Sequence, residues 1–158
     1  MIQNLSSRFW RTAYLFFPAL NQTLAFGAGP IFYVVVVDHL GLFHIGHAGV
    51  NLCRLEPGSG SSHRHWHHNE DEFVYVLEGE VVLIEDEGET VLKPGDAATF
   101  KAGVANGHTL VNRGKVDALI LEVGTRSTNE IAEYSDVDMR AVATGRVMTF
   151  TRKDGISF

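Results

Sequence analysis

Short runs of β-branched, aromatic and alternating apolar residues recur along most of this chain, separated by glycine, proline and acidic turn residues. Runs of this length and composition are typical of β-strands. No long helical period occurs between 45 and 125, so the pattern predicts an all-β sandwich or barrel. We expect strands at 31–37, 49–56, 71–78, 81–86, 90–93, 97–100, 108–112, 116–123 and 146–150.

One later segment does not follow this pattern clearly. Residues 127–134, STNEIAEY, are interpreted either as a short helix or as a loop. The total length of 158 residues fits one domain. We predict a single domain over 38–158, preceded by an N-terminal arm at 1–37.

The predicted arm differs in composition from the rest of the chain. Its only charged residues are Arg8 and Arg11. Pro18 and polar or glycine-rich breaks interrupt it, so no apolar run reaches the ~20 residues of a membrane-spanning helix. We expect the arm to pack on the domain. The alternatives are a signal peptide, which would direct export, and a poorly folded extension.

Net charge and cysteine content limit the possible binding partners and the possible cellular location of the protein. The formal net charge is −6, which argues against nucleic acid or an anionic membrane as a partner. The single cysteine, Cys53, excludes an internal disulfide and fits a reducing compartment. We therefore predict a cytoplasmic protein.

Four histidines crowd into the six residues HRHWHH, just before a predicted strand. His65 and His67 are two apart, so on an extended chain their imidazoles point to the same side. Glu72 follows on the adjacent predicted strand, and His108 offers a fourth ligand. Histidine nitrogens with a carboxylate suit a divalent transition metal such as Zn, Fe, Mn or Ni.

The neighbouring polar residues have simpler interpretations. His63 and His68 are expected at the pocket mouth and on the surface, respectively. Glu70 is an alternative ligand to Glu72. Arg64 is expected on the surface, with binding of an anionic ligand at the pocket mouth as the alternative.

The histidine cluster carries a resemblance to the cupin family. The first cupin motif reads His-x-His, three or four residues, Glu, six residues, Gly. Here it corresponds to His65, His67, Glu72 and Gly79. The glycine-containing lead, PGSGSSHR, matches loosely.

The second cupin motif is less regular. Gly95 is followed by five residues and then by Lys101, which stands where the family has proline. Asn106 stands at the expected histidine position. His108 follows two residues later, and Asn112 restores the motif's ending. A shift of two preserves the face of a strand, so His108 can still serve as the displaced ligand.

This resemblance covers residues 48–124 and implies a cupin-type double-stranded β-helix, a jelly-roll-like barrel, with a short C-terminal extension. It also implies a metal held by three histidines and one glutamate, and a homodimer. The expected function is a metalloenzyme acting on a small polar metabolite, of the isomerase, lyase or dioxygenase type. The alternative is a cupin that binds a metal or metabolite without turnover.

Overall fold

The computed structural model describes residues 34–36, 47–145 and 147–157, and within them every regular element is a β-strand. The strands are β1 (Val34–Val36), β2 (Ala48–Leu55), β3 (His65–His67), β4 (Glu72–Glu78), β5 (Val81–Glu85), β6 (Gly88–Leu92), β7 (Ala97–Phe100), β8 (Thr109–Val111), β9 (Ala118–Thr125), β10 (Asn129–Tyr134), β11 (Arg140–Thr144) and β12 (Val147–Thr151). The prediction of an all-β fold is confirmed.

These strands form three antiparallel sheets. The first has the order β1-β2-β9-β4-β7, the second β12-β11-β10-β3, and the third β6-β5-β8. Strands far apart in sequence lie side by side, as β2 and β9 do along their whole length. This crossing order is what brings the first predicted motif next to the second.

Buried and exposed side chains alternate along the strands of the first sheet, and the buried ones define its inner face. On β4, Val74 and Val76 are buried while Leu77 is 40% exposed. The same inner face carries Cys53 of β2 and Ile120 of β9, which lie opposite each other. These residues pack against apolar side chains of the third sheet and form the main core. That core also includes Leu55, Val81, Leu83, Leu92, Leu110 and Ala118.

A smaller apolar cluster lies on the second sheet. Ala132, Tyr134 and Ala141 are buried there, and Met148 and Phe150 pack against them. Its position matters for the site because Ala132 and Tyr134 lie opposite His67 and His65. The backbone that carries the two histidines is therefore supported from the β10 side.

The predicted strands between 49 and 123 are all present, with small shifts at their ends. The interpretation of 127–134 as a helix or loop was wrong, because 129–134 is strand β10 and pairs with both β3 and β11. Neither β3 nor β11 was predicted as a strand. Of the predicted arm at 1–37, only 34–36 is described, where it forms an edge strand beside β2.

The remaining expectations about the arm fall outside the described residues. No described helix is long and apolar enough to cross a membrane. The homodimer and the cytoplasmic location stay predictions.

Asn112, which ends the second motif, is fully buried and ties three segments together. Its amide nitrogen donates to the carbonyl oxygens of Leu55 and Val116, at 2.7 and 2.8 Å. Its Oδ1 accepts a hydrogen bond from the backbone N–H of Gly114 at 2.8 Å. A buried polar group that makes all its hydrogen bonds stabilises the fold. Its removal leaves the partner groups buried without hydrogen bonds, which costs free energy.

Substituting Asn112 by alanine is therefore expected to lower the free energy of unfolding by about 2–4 kcal/mol. Urea denaturation followed by tryptophan fluorescence measures this. Asn129→Ala is the matched control, because Asn129 is exposed and should lose little stability. Equal denaturation midpoints for the two variants would show that Asn112 does not hold these segments.

Candidate functional site

Strand β3 presents its two histidines to the interior. His65 lies opposite Tyr134 of β10, and His67 lies opposite Ala132. Directly opposed residues share a face of the sheet, and both of these partners are buried. His65 and His67 therefore point inward, as their spacing predicted.

Glu72 begins β4 and lies on the inner face of the first sheet. It is opposite Phe100 of β7 on one side and Gly124 of β9 on the other. The carboxylate thus enters the same space as the histidines of β3, from a neighbouring sheet.

His108 is brought in by a backbone bridge to His65. The N–H of His65 donates to the carbonyl of His108 at 3.1 Å, and the N–H of His108 donates to the carbonyl of His65 at 2.9 Å. Gly107 permits this approach, since a Cβ there would overlap the side chain of Ser135. The loop before His108 absorbs the extra two residues, as the sequence predicted.

The four predicted ligand residues converge in space. Ligand atoms of His65, His67 and Glu72 all lie within 4.8 Å of one another. His108 Nε2 is 2.8 Å from Glu72 Oε2, and His67 Nε2 is 3.6 Å from the same oxygen. The geometry therefore offers one carboxylate surrounded by three imidazoles.

The protonation states of two members suit metal binding. Burial lowers the pKa of His65 to about 4, against the raising effect of Glu72. Burial alone would raise the pKa of Glu72, but the hydrogen bond to His108 and the nearby imidazoles lower it to about 2. At neutral pH His65 is neutral and Glu72 is ionised, which are the forms that ligate metals.

The far nitrogens of the β3 histidines contact protein oxygens. His65 Nδ1 lies 2.9 Å from the carbonyl oxygen of His63, and His67 Nδ1 lies 3.4 Å from Glu130 Oε1. Contacts of this kind fix the ring orientation and tautomer of a metal-binding histidine. They leave the Nε2 atoms directed at the interior.

Glu130 was not identified from the sequence. Its carboxylate also accepts the backbone N–H groups of His68 and Asn69, at 2.9 and 3.0 Å. These bonds clamp the end of the histidine motif to β10. Recognising 127–134 as a strand would have placed Glu130 on the same inner face as Ala132, beside His67.

The other polar residues of the motif are engaged elsewhere. His68 Nε2 lies 3.6 Å from Glu133, and Glu70 pairs with Arg126 at 3.0 Å. Arg64 forms ion pairs with Asp86 and Asp136, both at 2.9 Å. Glu70 is thus not placed as a substitute for Glu72, and Arg64 has carboxylate partners at the surface.

A cavity of about 190 Å³ opens beside the cluster. The indole of Trp66 lines this cavity and stacks on His68. Phe100 stacks on the His108 ring with centroids 3.5 Å apart. The other lining residues are His67, Glu70, Glu72, Thr99, Lys101, Val104 and Asn106.

Deeper on the same inner face lies a polar pair that the sequence reasoning missed. Val74 and Val76, which share the inner face of β4 with Glu72, are both buried. Val74, however, lies opposite Glu122 of β9, which in turn lies opposite Asn51 of β2. The inner face of the first sheet is therefore partly polar at this level. Pairing β9 with β4 in the correct register would have been needed to find it.

The comparisons with known proteins agree with this fold. Residues 51–124 match the family model described as Cupin domain. A crystal structure of a sugar phosphate isomerase of the cupin superfamily from Silicibacter pomeroyi is 52% identical, with a TM-score of 0.69, and the match covers 71% of each chain. The chain therefore belongs to the cupin superfamily.

Two further structures are similar to this chain in fold. One from Acidithiobacillus ferrooxidans, provisionally named a sugar phosphate isomerase, is 28% identical over 71% of each chain, with a TM-score of 0.65. A Cupin 2 conserved barrel domain protein from Salinispora arenicola is 17% identical over 65% of this chain and 91% of that one, with a TM-score of 0.52, and shows the fold. No curated protein matches the chain.

The donor set fits the divalent metal that cupin membership implies. Neutral imidazole nitrogens and one ionised carboxylate oxygen are the ligands preferred by Zn, Fe, Mn and Ni. His108 Nε2 and His67 Nε2 both direct their contacts to Glu72, so the polar atoms of the cluster face one another around a common centre.

We predict that His67→Ala loses most bound metal, whereas His68→Ala keeps it. His67 faces the cluster, while His68 faces Glu133. Elemental analysis of protein purified without chelators or a histidine tag measures this, with about one ion per chain expected in the parent. Equal metal content in the two variants would contradict the ligand assignment.

Glu122 should make the stability of the metal-free protein depend on pH. Burial and the nearby Glu72 carboxylate raise the pKa of Glu122 from 4.5 to about 7, against the lowering effect of its hydrogen bond with Asn51. Because the folded pKa exceeds the ordinary value, its stabilising contribution is complete below about pH 4.5 and is lost as pH rises through about 7. Cys53, its other ionisable neighbour, has a pKa raised by burial and stays protonated.

Glu122→Gln removes this titration. Between pH 4.5 and 8 the parent should therefore lose about 1–3 kcal/mol relative to the variant. Denaturant unfolding of both proteins in chelator across that range tests the prediction, since the shared histidines cancel in the difference. A difference that does not change with pH would contradict it.

Proposed function

We propose that this protein is a metal-dependent isomerase of a small phosphorylated sugar. The observation that carries the proposal is the convergence of three imidazoles on the Glu72 carboxylate at the edge of a cavity that also holds an exposed lysine. A metal held by four protein ligands keeps positions for a substrate, which is typical of a catalytic rather than a structural ion.

Lys101 supplies the charge that a phosphate needs. It lines the cavity, is exposed, and makes no ion pair with any described residue. An ammonium group in this position acts as a point charge for phosphate. Its place at the rim, with Glu72 and His108 further in, suits a substrate that is anionic at one end and reacts at the other.

The size of the cavity limits the substrate. A volume of about 190 Å³ lies below the usual range of drug-sized sites and suits a molecule of a few carbons. Trp66 and Phe100 add apolar walls against which a sugar's C–H face can pack.

The relative from Silicibacter pomeroyi supports the reaction class. Its name gives sugar phosphate isomerase as its activity, and the 52% identity extends over 71% of this chain. The proposal extends that activity to this chain on the strength of the shared fold and the cluster described above.

Each residue then has a role. When bound, a divalent ion would supply Lewis-acid polarisation of the sugar's carbonyl oxygen. His65, His67, Glu72 and His108 would hold it. Glu130 orients His67 through its 3.4 Å contact, and Lys101 positions the phosphate.

The test is an isomerase assay on metal-loaded protein with aldose and ketose phosphates of three to six carbons. Lys101→Ala should raise KM for the active sugar phosphate about tenfold, the cost of one charge-assisted contact. It should leave kcat within about twofold, because a phosphate contact serves binding in ground and transition states alike.

Lys93→Ala is the control, since Lys93 is exposed and does not line the cavity; it should behave as the parent. An unchanged KM in Lys101→Ala would refute the phosphate role. Metal-loaded parent that binds such sugars without converting any of them would refute the isomerase and leave the non-catalytic binding cupin.

A further inference from the structure

The first sheet is apolar on its outer face as well as on its inner one. The apolar side chains of the outer face form two rows that cross β2, β9 and β4, since directly opposed residues share a face of a sheet. One row is Val50, Val123 and Phe73, and the next is Leu52, Leu121 and Tyr75. We refer to these six residues as the outer apolar patch.

The outer apolar patch points away from the core. Leu52 and Leu121, for example, adjoin the inward-pointing Cys53 and Ile120 in sequence, and successive side chains of a strand point to opposite faces. None of the six residues belongs to either apolar cluster of the described chain. Val50 is 39% exposed, and the other five are partly exposed.

An apolar outer face is unusual for an antiparallel sheet. A sheet that packs on a core with one face commonly presents polar residues to water on the other. Contiguous apolar side chains on an outer face mark an interaction site, and aromatic residues such as Phe73 and Tyr75 are enriched in protein interfaces. The outer apolar patch therefore has the composition of a surface that another protein surface covers.

Two opposite charges border the patch, one strand to each side of β9. In the row next to Leu121 and its neighbours, Leu119 of β9 lies opposite Arg54 of β2 and Glu78 of β4. Arg54 and Glu78 are both exposed. Arg54 contacts Asp117 at 3.2 Å through one guanidinium nitrogen, and a guanidinium has donors for a second carboxylate. This row is therefore positive on the β2 side and negative on the β4 side.

We propose that the outer apolar patch binds the same patch of a second copy of this chain, about a twofold axis parallel to β9. A twofold interface must be complementary to itself, and an apolar patch meets this condition. The axis exchanges β2 with β4, so Arg54 faces Glu78 of the partner subunit. Leu121, at the centre, faces its own counterpart. The dimer then contains the Arg54 to Glu78 pair twice.

The charges favour this axis over a twofold axis that runs across the strands. An axis across the strands would lay the row of Arg54 and Glu78 over the row of Val50, and both charges would lose water against apolar side chains. Two sheets whose strands run in nearly the same line, about 10 Å apart, are a common arrangement for faces of this kind. The homodimer expected from the family resemblance thus gains a defined interface, which is independent of the reaction at the metal site.

Sedimentation equilibrium of the full chain at micromolar concentration tests the interface. The parent is expected to be a dimer. Leu121→Asp is expected to be a monomer, because it places two carboxylates face to face at the centre of the apolar patch. Val91→Asp is the matched control: Val91 is 50% exposed on β6 of the third sheet, so this variant should remain a dimer.

A charge exchange tests the axis. In their own homodimers, Arg54→Glu and Glu78→Arg each bring like charges together twice, so each should raise the dimer dissociation constant at least about tenfold. An equimolar mixture of the two variants can form a heterodimer in which both pairs attract again. The mixture should therefore dimerise as the parent does. Both positions are exposed, so these variants should fold even if Leu121→Asp does not.

Three results would overturn the proposal. A monomeric parent would show that no second copy covers the patch, and the predicted N-terminal arm would then be the candidate to cover it. A folded Leu121→Asp variant that dimerises as tightly as the parent would show that another surface joins the copies. Single charge variants that match the parent, or a mixture that stays as dissociated as its two components, would rule out the axis parallel to β9.

Discussion

The site depends on the backbone pairing of one very short strand. β3 has three residues, yet it bonds to β10 along one edge, and His65 bonds to His108 along the other. Those bonds fix the direction in which the side chains of His65 and His67 point. They also hold His108, which follows a loop, next to the other two histidines. Without them, His65 and His67 would lie in a connecting segment with no fixed orientation. Metal binding would then be weaker, because part of its free energy would be spent on ordering that segment.

The same interaction explains why a polar cluster is tolerated at the edge of a hydrophobic core. Glu72 loses hydration on burial, and the imidazoles around it compensate strongly enough to lower its pKa to about 2. Buried charges persist where such partners exist. Below the cluster, Val76 and Ile120 are fully buried. The strands that carry the polar atoms are thus held by apolar packing one layer away.

Local patterns made most of the fold predictable, and the failures have a common cause. Strands such as 97–100 show in the sequence as short apolar runs between turns. β10 does not, because its inner positions include Glu130, a polar residue where an apolar one was expected. The two histidine ligands of β3 could be predicted because side chains two residues apart point to the same side in any extended chain. The positions of Glu130 and Glu122 could not be predicted in this way, because they depend on which strands pair and in what register.

Two carboxyl groups on one inner face end in opposite electrostatic states, because their neighbours differ in charge. Glu72 has three imidazoles as neighbours and is held ionised, whereas Glu122 has a neutral amide and the negative Glu72 as neighbours and is held near the point of protonation. The strand register produces this contrast, because it places Glu122 opposite Asn51 and Val74, one step below Glu72 and its imidazoles. Neither state could be inferred from the two residues themselves, since both are glutamates in short β-strands. Each state follows from the side chains that the neighbouring strands bring beside the carboxyl group.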